Sequence, residues 1–279
     1  MVEKLQELLE QKKYAEIHKM LESLNSADIP SIFDELDEEQ IVIVYRLLSK
    51  DMVADVFVEL DPDMQENLIN AFSDKELKNV LDDIFMDDTV DLVEEMPASV
   101  VKRILRAQNS EDRKMINELL RYPEDSAGSI MTTEFVDLKE NMTVEKAIEK
   151  IRKVGDDVES IYVCYVLTLT RQLIGIVSLK DLIMADKVTL VKDIMDKNFI
   201  KVSTLEEQEE VAKKFDKYDE ISLPVVDNED RLVGIVTVDD AMDVMHEEMD
   251  EDFEKMAAIT PSEDTYFKTS VFKHARNRI

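Results

Sequence analysis

From Ile17 to Leu105 apolar residues recur every twelve positions. One series reads Met20, Ile32, Val44, Val56, Leu68, Val80, Leu92 and Ile104, and its neighbour reads Leu21, Phe33, Tyr45, Phe57, Ile69, Leu81, Val93 and Leu105. A third series, Leu24, Leu36, Leu48, Leu60, Phe72, Ile84 and Met96, lies three to four positions further on, so all three share one helical face. Twelve residues hold about two helical turns and a link of roughly three residues. Helices that short are marginal alone, so the pattern predicts a stack in which each helix rests on its neighbours, like a small solenoid. Pro62 and Pro97 fall at the expected breaks, since proline is tolerated in a first helical turn but not in a helix interior.

Further along, two stretches are near-copies in outline, Ile130–Asp181 and Ile194–Asp240. Each opens on Ile-Met, and Phe135-Val136 answers Phe199-Ile200 at an offset of 64. A helix-period segment follows (Val144–Lys153; Gln208–Lys217), then an apolar strand, then a matching close, Gly175-Ile-Val-Ser178-Leu-Lys-Asp181 and Gly234-Ile-Val-Thr237-Val-Asp-Asp240. The offset falls to 59 at the close because the first copy has a five-residue longer loop. This predicts a tandem pair of small βαββα units, each the pseudo-symmetric partner of the other.

Charge changes the picture more than composition does. The chain has 279 residues, enough for about two domains. Its 64 acidic residues against 34 basic ones give a net charge of −30, so nucleic acid and anionic lipid are poor partners and cations are the natural complement. The single cysteine, Cys164, lies in the apolar run Ile161–Leu167 and reads as a buried strand residue, which suits a reducing compartment. The first residues carry no apolar leader, and no run approaches the ~18 apolar residues of a membrane helix.

The acidic residues are not evenly spread. Asp55 and Glu59 share a helix face, and Asp91 and Glu95 occupy the equivalent face 36 residues later, extended by Asp87 and Asp88. From Asp239 to Glu254 there are nine acidic residues and no Lys or Arg. Helical spacing pairs Asp239 with Asp243, Asp243 with Glu247, and Glu247 with Glu251, each at about 0.2–0.5 kcal/mol of repulsion. Two carboxylates at about 5 Å repel by roughly 3 kcal/mol at an effective dielectric near 20. Contact between two such faces therefore needs positive charge, and carboxylate oxygens attract hard divalent cations. Oxygen chemistry alone does not separate Mg²⁺ from Ca²⁺ or Mn²⁺. An acidic outer face is equally ordinary for a solvated solenoid. His18, His246 and His274 make no zinc pattern with Cys164. Nothing in the sequence points to an enzyme: no nucleophile, base and phosphate-cradling loop converge, and there are only four glycines.

The two closing motifs resemble those of paired cystathionine-β-synthase-like (CBS) domains. Tyr122-Pro-Glu-Asp-Ser-Ala-Gly-Ser-Ile-Met-Thr-Thr-Glu134, Leu223-Pro-Val-Val-Asp227 and Val238-Asp-Asp240 make nearly the whole chain similar to the MgtE family of magnesium transporters and channels. The resemblance implies an α/β protein: residues 1–125 as a helical superhelix, 126–188 as the first CBS domain, 189–255 as the second, and 256–279 as a connecting helix toward an absent membrane domain. It implies a homodimer through the CBS pairs, at the cytoplasmic face of the membrane, with Mg²⁺ bridging acidic surfaces to favour a closed state. Carried onto matching positions, the ion ligands are Asp88 and Asp91, with Asp240 and Asp243 across from them. Glu209, Asp219, Glu248 and Glu251 match further ion positions, Asp55 matches loosely, and Gly128 offers a carbonyl. In CBS pairs the Gly-x-x-[Ser/Thr]-x-x-Asp close meets phosphate and ribose. That makes Ser178 with Asp181, and Thr237, candidates for ATP or another adenine nucleotide, the alternative being a nucleotide-sensing module. A hydroxyl there is also an ordinary helix N-cap. The basic segment Tyr266–Ile279, with Lys268, Lys273, Arg276 and Arg278, reads as the flank of a membrane span.

Overall fold

The computed structural model describes residues 1–256, apart from the side chains of residues 250–252, 254 and 256. The expected connecting helix and its basic residues lie outside this range. The chain divides into two units, Met1–Leu119 and a second beginning at Leu120.

The first unit is all helical: α1 (Val2–Glu10), α2 (Tyr14–Leu21), α3 (Ile29–Phe33), α4 (Glu38–Tyr45), α5 (Lys50–Val58), α6 (Pro62–Ala71), α7 (Asp74–Leu81), α8 (Met86–Glu95), α9 (Ala98–Ala107) and α10 (Asp112–Leu119). The twelve-residue series forms its core. Val44, Val56, Leu68 and Ile104 are fully buried, as are Leu21, Phe33, Phe57 and Ile69. Local chemistry sets the helix starts. Asp37 and Ser73 make full capping boxes with Gln40 and Glu76, and Asp61 caps α6 with Pro62 in its first turn. Pro97 stands one position earlier than a first turn, as the N-cap residue of α9.

The second unit follows the repeat. Its first half is β1 (Phe135–Lys139), α11 (Val144–Val154), β2 (Ser160–Leu167), β3 (Leu173–Ser178) and α12 (Leu179–Met184). After the short α13 (Val191–Ile194) come β4 (Val202–Ser203), α14 (Gln208–Tyr218), β5 (Ser222–Val226), β6 (Leu232–Thr237) and α15 (Val238–Met256). Each sheet has three strands, with the middle strand parallel to the first and antiparallel to the third. Pro224 sits in middle strand β5 because the two-residue β4 pairs only with Val225 and Val226, so the missing N–H leaves no rung broken.

The two halves exchange their leading segments. Thr132, which precedes the first sheet, bonds in both directions with Ile235 of the second, at 2.8 and 2.9 Å. Asp196, which precedes the second sheet, bonds both ways with Ile176 of the first, at 2.8 and 2.9 Å. The exchange keeps the 64-residue offset: Ala127 N–H donates to the Glu206 carbonyl, and Val191 N–H to that of Met142. Such a close approach requires glycine. A Cβ on Gly234 would lie 2.7 Å from the Thr132 carbonyl oxygen, and one on Gly175 would lie 2.9 Å from that of Asp196. Between the sheets lies a shared core of Tyr165, Leu167, Leu173, Val226, Leu232 and Ile235, and the Tyr165 hydroxyl meets the Ser222 hydroxyl at 2.8 Å within it.

Gly175→Ala and Gly234→Ala should each destabilise the second unit by about 1–3 kcal/mol. Native-state hydrogen exchange checks this. The Ile176, Asp196, Thr132 and Ile235 amides should exchange faster while those of Leu68 and Leu81 in the first unit do not change. Unaltered protection at the four exchange bonds would refute the interlock.

Candidate functional site

The acidic candidates of the first unit lie on two helices. Asp55 stands exposed on α5. Asp88 and Asp91 stand three apart on α8, Asp88 half-buried in the first turn and Asp91 exposed. Asp87 beside them is buried, and its carboxylate accepts the Asp88 N–H at 3.0 Å. First-turn carboxylates suit the positive end of the helix. At the opposite end of α8 there is no such help: burial, and then the neighbouring Glu94, push the Glu95 carboxyl above its ordinary range.

In the second unit α14 packs along α15 and carries Glu209 in its first turn. Oxygens of Glu207, Glu209 and Glu210 come within 4.8 Å of one another, but Lys213 meets both Glu209 and Glu210 at 2.9 Å. Those two carboxylates raise the Lys213 pKa. Glu209 is therefore partly neutralised by its own helix. The run Glu206-Glu207-Gln208-Glu209-Glu210 could have disclosed the cluster, and the lysine four positions on its occupant. Asp219 ends α14 in the left-handed conformation at φ 54°, which Asp tolerates better than most residues. Gly128 is buried, and a Cβ there would lie 2.5 Å from the Tyr122 ring, so packing alone accounts for this glycine.

On α15, Asp240 and Asp243 stand three apart. Burial pushes the Asp240 carboxyl up to about 6, against hydrogen bonds from Thr237 that lower it, and Asp239 and Asp243 raise it further. The Asp243 carboxyl is raised too, by desolvation and then by Asp239, with His246 opposing. Glu248 is half-buried, and Glu251 lies on the helix with its side chain outside the described set. The carboxylates of α15 thus repel one another, the local state that a hard cation relieves. The oxygen-only donor set fits Mg²⁺ in kind.

The two closing motifs are built alike. Ser178 caps α12 by accepting the Asp181 N–H at 3.1 Å, and its hydroxyl donates to the Asp181 carboxylate at 2.5 Å. Thr237 donates to Asp240 at the same distance, and its N–H reaches the same oxygen at 3.2 Å. Because of the segment exchange, Asp196 bonds to the strand that ends at Ser178, and Thr132 to the strand that ends at Thr237. Asp196 also helps to raise the Glu220 carboxyl, second to burial. Neither Asp196 nor Glu220 stood out in the sequence, because the exchange that makes them matter is invisible there.

A helical stack followed by two sheets that trade leading segments, with both Gly-x-x-[Ser/Thr]-x-x-Asp closes intact, defines a paired-CBS protein with an accessory α-helical domain. Residues 24–125 match the model of the MgtE intracellular N domain, and residues 127–187 and 191–247 each match that of the CBS domain. The chain belongs to the MgtE family. It is 37% identical over 193 residues to the magnesium transporter MgtE of Bacillus subtilis, covering 69% of this chain and 42% of that protein. The identity to the Thermus thermophilus transporter MgtE is 42% over 179 residues, covering 64% and 39%. The chain thus spans about two fifths of the length of these relatives. Among solved structures, the soluble part of a magnesium transporter superposes with a TM-score of 0.80 at 34% identity, covering 88% of this chain and 97% of that one. The cytosolic domain of the Mg²⁺ channel MgtE in complex with ATP does so with 0.82 at 37% identity, covering 88% and 100%. Among the described residues no helix is long and apolar enough to cross a membrane.

Asp240 gives a signed prediction. With a folded-state pKa near 6 and an ordinary one near 4, the stability it lends is full below about pH 4 and is lost as pH rises through 6. At pH 7 its ionised form costs the fold about 3 kcal/mol. In chelator, Asp240→Asn should therefore match the parent in urea midpoint near pH 4 and exceed it at pH 7.5. A difference independent of pH would contradict the assignment.

Proposed function

We propose that this chain is the cytosolic Mg²⁺-sensing region of a magnesium transporter or channel, working as a homodimer beneath a membrane domain. The observation that supports it best is the state of α15, where burial and neighbouring acids hold the Asp240 and Asp243 carboxyls above their ordinary range. Asp88 and Asp91 of α8 supply the facing oxygens in this reading, with Glu209, Asp219, Glu248, Glu251, Asp55 and the Gly128 carbonyl as further ligands. At high Mg²⁺ the ions offset repulsion between acidic faces and favour a compact, closed dimer; at low Mg²⁺ the faces part. The ion must bind the compact state more tightly, or no population shift follows.

The dimer reading draws support from exposed apolar side chains on the outer helices. Ile183 and Met184 of α12 are 66% and 78% exposed, and Met242 and Met249 of α15 are 53% and 66% exposed. Ile183 and Met242 occupy the same place in the two repeats, 59 residues apart. Large apolar side chains left exposed at equivalent places in both repeats are what an interface would cover.

An adenine nucleotide is the second reading, since the similar cytosolic domain was solved with ATP and both closing motifs are kept here. Ser178 and Asp181 are the favoured contacts, and Thr237 is shared between the two readings through Asp240. The two act together if nucleotide and ion stabilise the same compact state.

Solution scattering with and without millimolar Mg²⁺ is the direct test, and the radius of gyration should fall on adding the ion. Replacing Asp88, Asp240 and Asp243 together with Ala should abolish that fall, and a Mg²⁺ response that survives the triple change would overturn ion gating. Ile183→Glu with Met242→Glu should yield a monomer by sedimentation, whereas a persistent dimer would move the interface elsewhere. In calorimetry, Ser178→Ala should weaken ATP binding by about tenfold. Heat from ATP that is unaltered in this variant would remove the nucleotide from this motif.

A further inference from the structure

The helical unit contains a cavity of about 450 Å³ between the ends of α4, α5 and α7, and none of the acidic residues considered above as ion ligands lines it. Its volume falls in the range of ordinary small-molecule sites. The floor is apolar. The rings of Tyr45 and Phe72 lie 5.4 Å apart there, beside Val53, and the Tyr45 hydroxyl is already spent on the Val53 carbonyl at 2.8 Å.

The charged rim has both signs, and most of it is committed. Arg46 donates to Glu76 at 2.9 Å and to the Ala71 carbonyl at 3.0 Å, and Asp82 is held by Lys78 at 2.7 Å. Lys50 and Asp83 are different. Their nearest approach is 3.9 Å, and the lysine side chain is 84% exposed, so little is lost by opening the pair. Lys50 is also the first residue of α5, whose N-cap Ser49 makes no side-chain cap, so backbone donors stand at the same end of the helix. A ligand of one sign is poorly matched. An anion would meet Glu76, Asp82 and Asp83, and a cation would meet Arg46 and Lys50. A molecule with adjacent opposite charges can enter the open pair and satisfy both partners.

We propose that this cavity binds a small zwitterion with an apolar side chain, of the free α-amino acid class. Its carboxylate rests on Lys50, its ammonium on Asp83, and its side chain on the Tyr45–Phe72 floor. The site is independent of the ion and nucleotide readings, because it uses none of their residues.

Titration calorimetry on the full chain in chelator tests it, with L-phenylalanine as probe against 3-phenylpropionate, which lacks the ammonium, and phenethylamine, which lacks the carboxylate. The amino acid should bind saturably, and each analogue about tenfold more weakly. Lys50→Met and Asp83→Asn, both at the surface and so expected to fold, should each cost a similar factor. Backbone amide shifts should move around residues 45–53 and 72–83. The proposal is overturned by absence of saturable binding, by equal binding of either analogue, or by affinity that neither substitution changes.

Discussion

The second unit rests on one constraint, the reciprocal backbone bonding by which each half donates its leading segment to the other's sheet. Thr132 with Ile235 and Asp196 with Ile176 make four hydrogen bonds, two at equivalent places in each half, and the glycines at positions 175 and 234 let the backbones approach. Neither half completes its sheet surroundings alone. The shared core around Tyr165 and Leu232 is buried only because the halves are interlocked. The exchange also decides which residues border each closing motif, and so makes two sequence-similar closes chemically unequal. Asp196 joins the strand ending at Ser178, while Thr132 joins the one ending at Thr237.

Electrostatics acts on top of that frame. A helix that gathers Asp239, Asp240 and Asp243 in its first turns gains from the dipole but loses to mutual repulsion, and burial of Asp240 adds to the loss. Elsewhere the chain neutralises such clusters locally, as Lys213 does for Glu209 and Glu210, and Lys150 does for Asp137 at 2.6 Å. The contrast within one domain matters more than the net charge of −30. Glu209, Glu210 and Asp137 each meet a lysine at salt-bridge distance, whereas burial and neighbouring acids hold the Asp240 and Asp243 carboxyls above their ordinary range.

Much of the first unit was legible because a twelve-residue period has a single physical meaning. Short helices cannot stand alone, so the apolar positions must face one another, and those at 44, 56, 68 and 104 are fully buried. The repeat after Ile130 was legible for a similar reason, with α11 and α14 starting at Val144 and Gln208 as the periodicity implied. Less visible were the things that depend on which side chains the fold brings together: the lysine that occupies Glu209's carboxylate, the Tyr122 ring that requires glycine at 128, and the Asp196 charge that helps to raise the Glu220 carboxyl.

By itself, then, the sequence determined the two kinds of unit, the family and the residue types at each candidate position, since periodicity and motif spacing are local properties of the chain. Only the tertiary structure decided which carboxyls burial pushes above their ordinary range, which strand end each hydroxyl–carboxylate pair shares with a partner segment, and where a cavity opens among the short helices. Those outcomes depend on desolvation and on contacts across sixty or more residues, as between Thr132 and Ile235, and no one-dimensional pattern records which groups are brought out of water together.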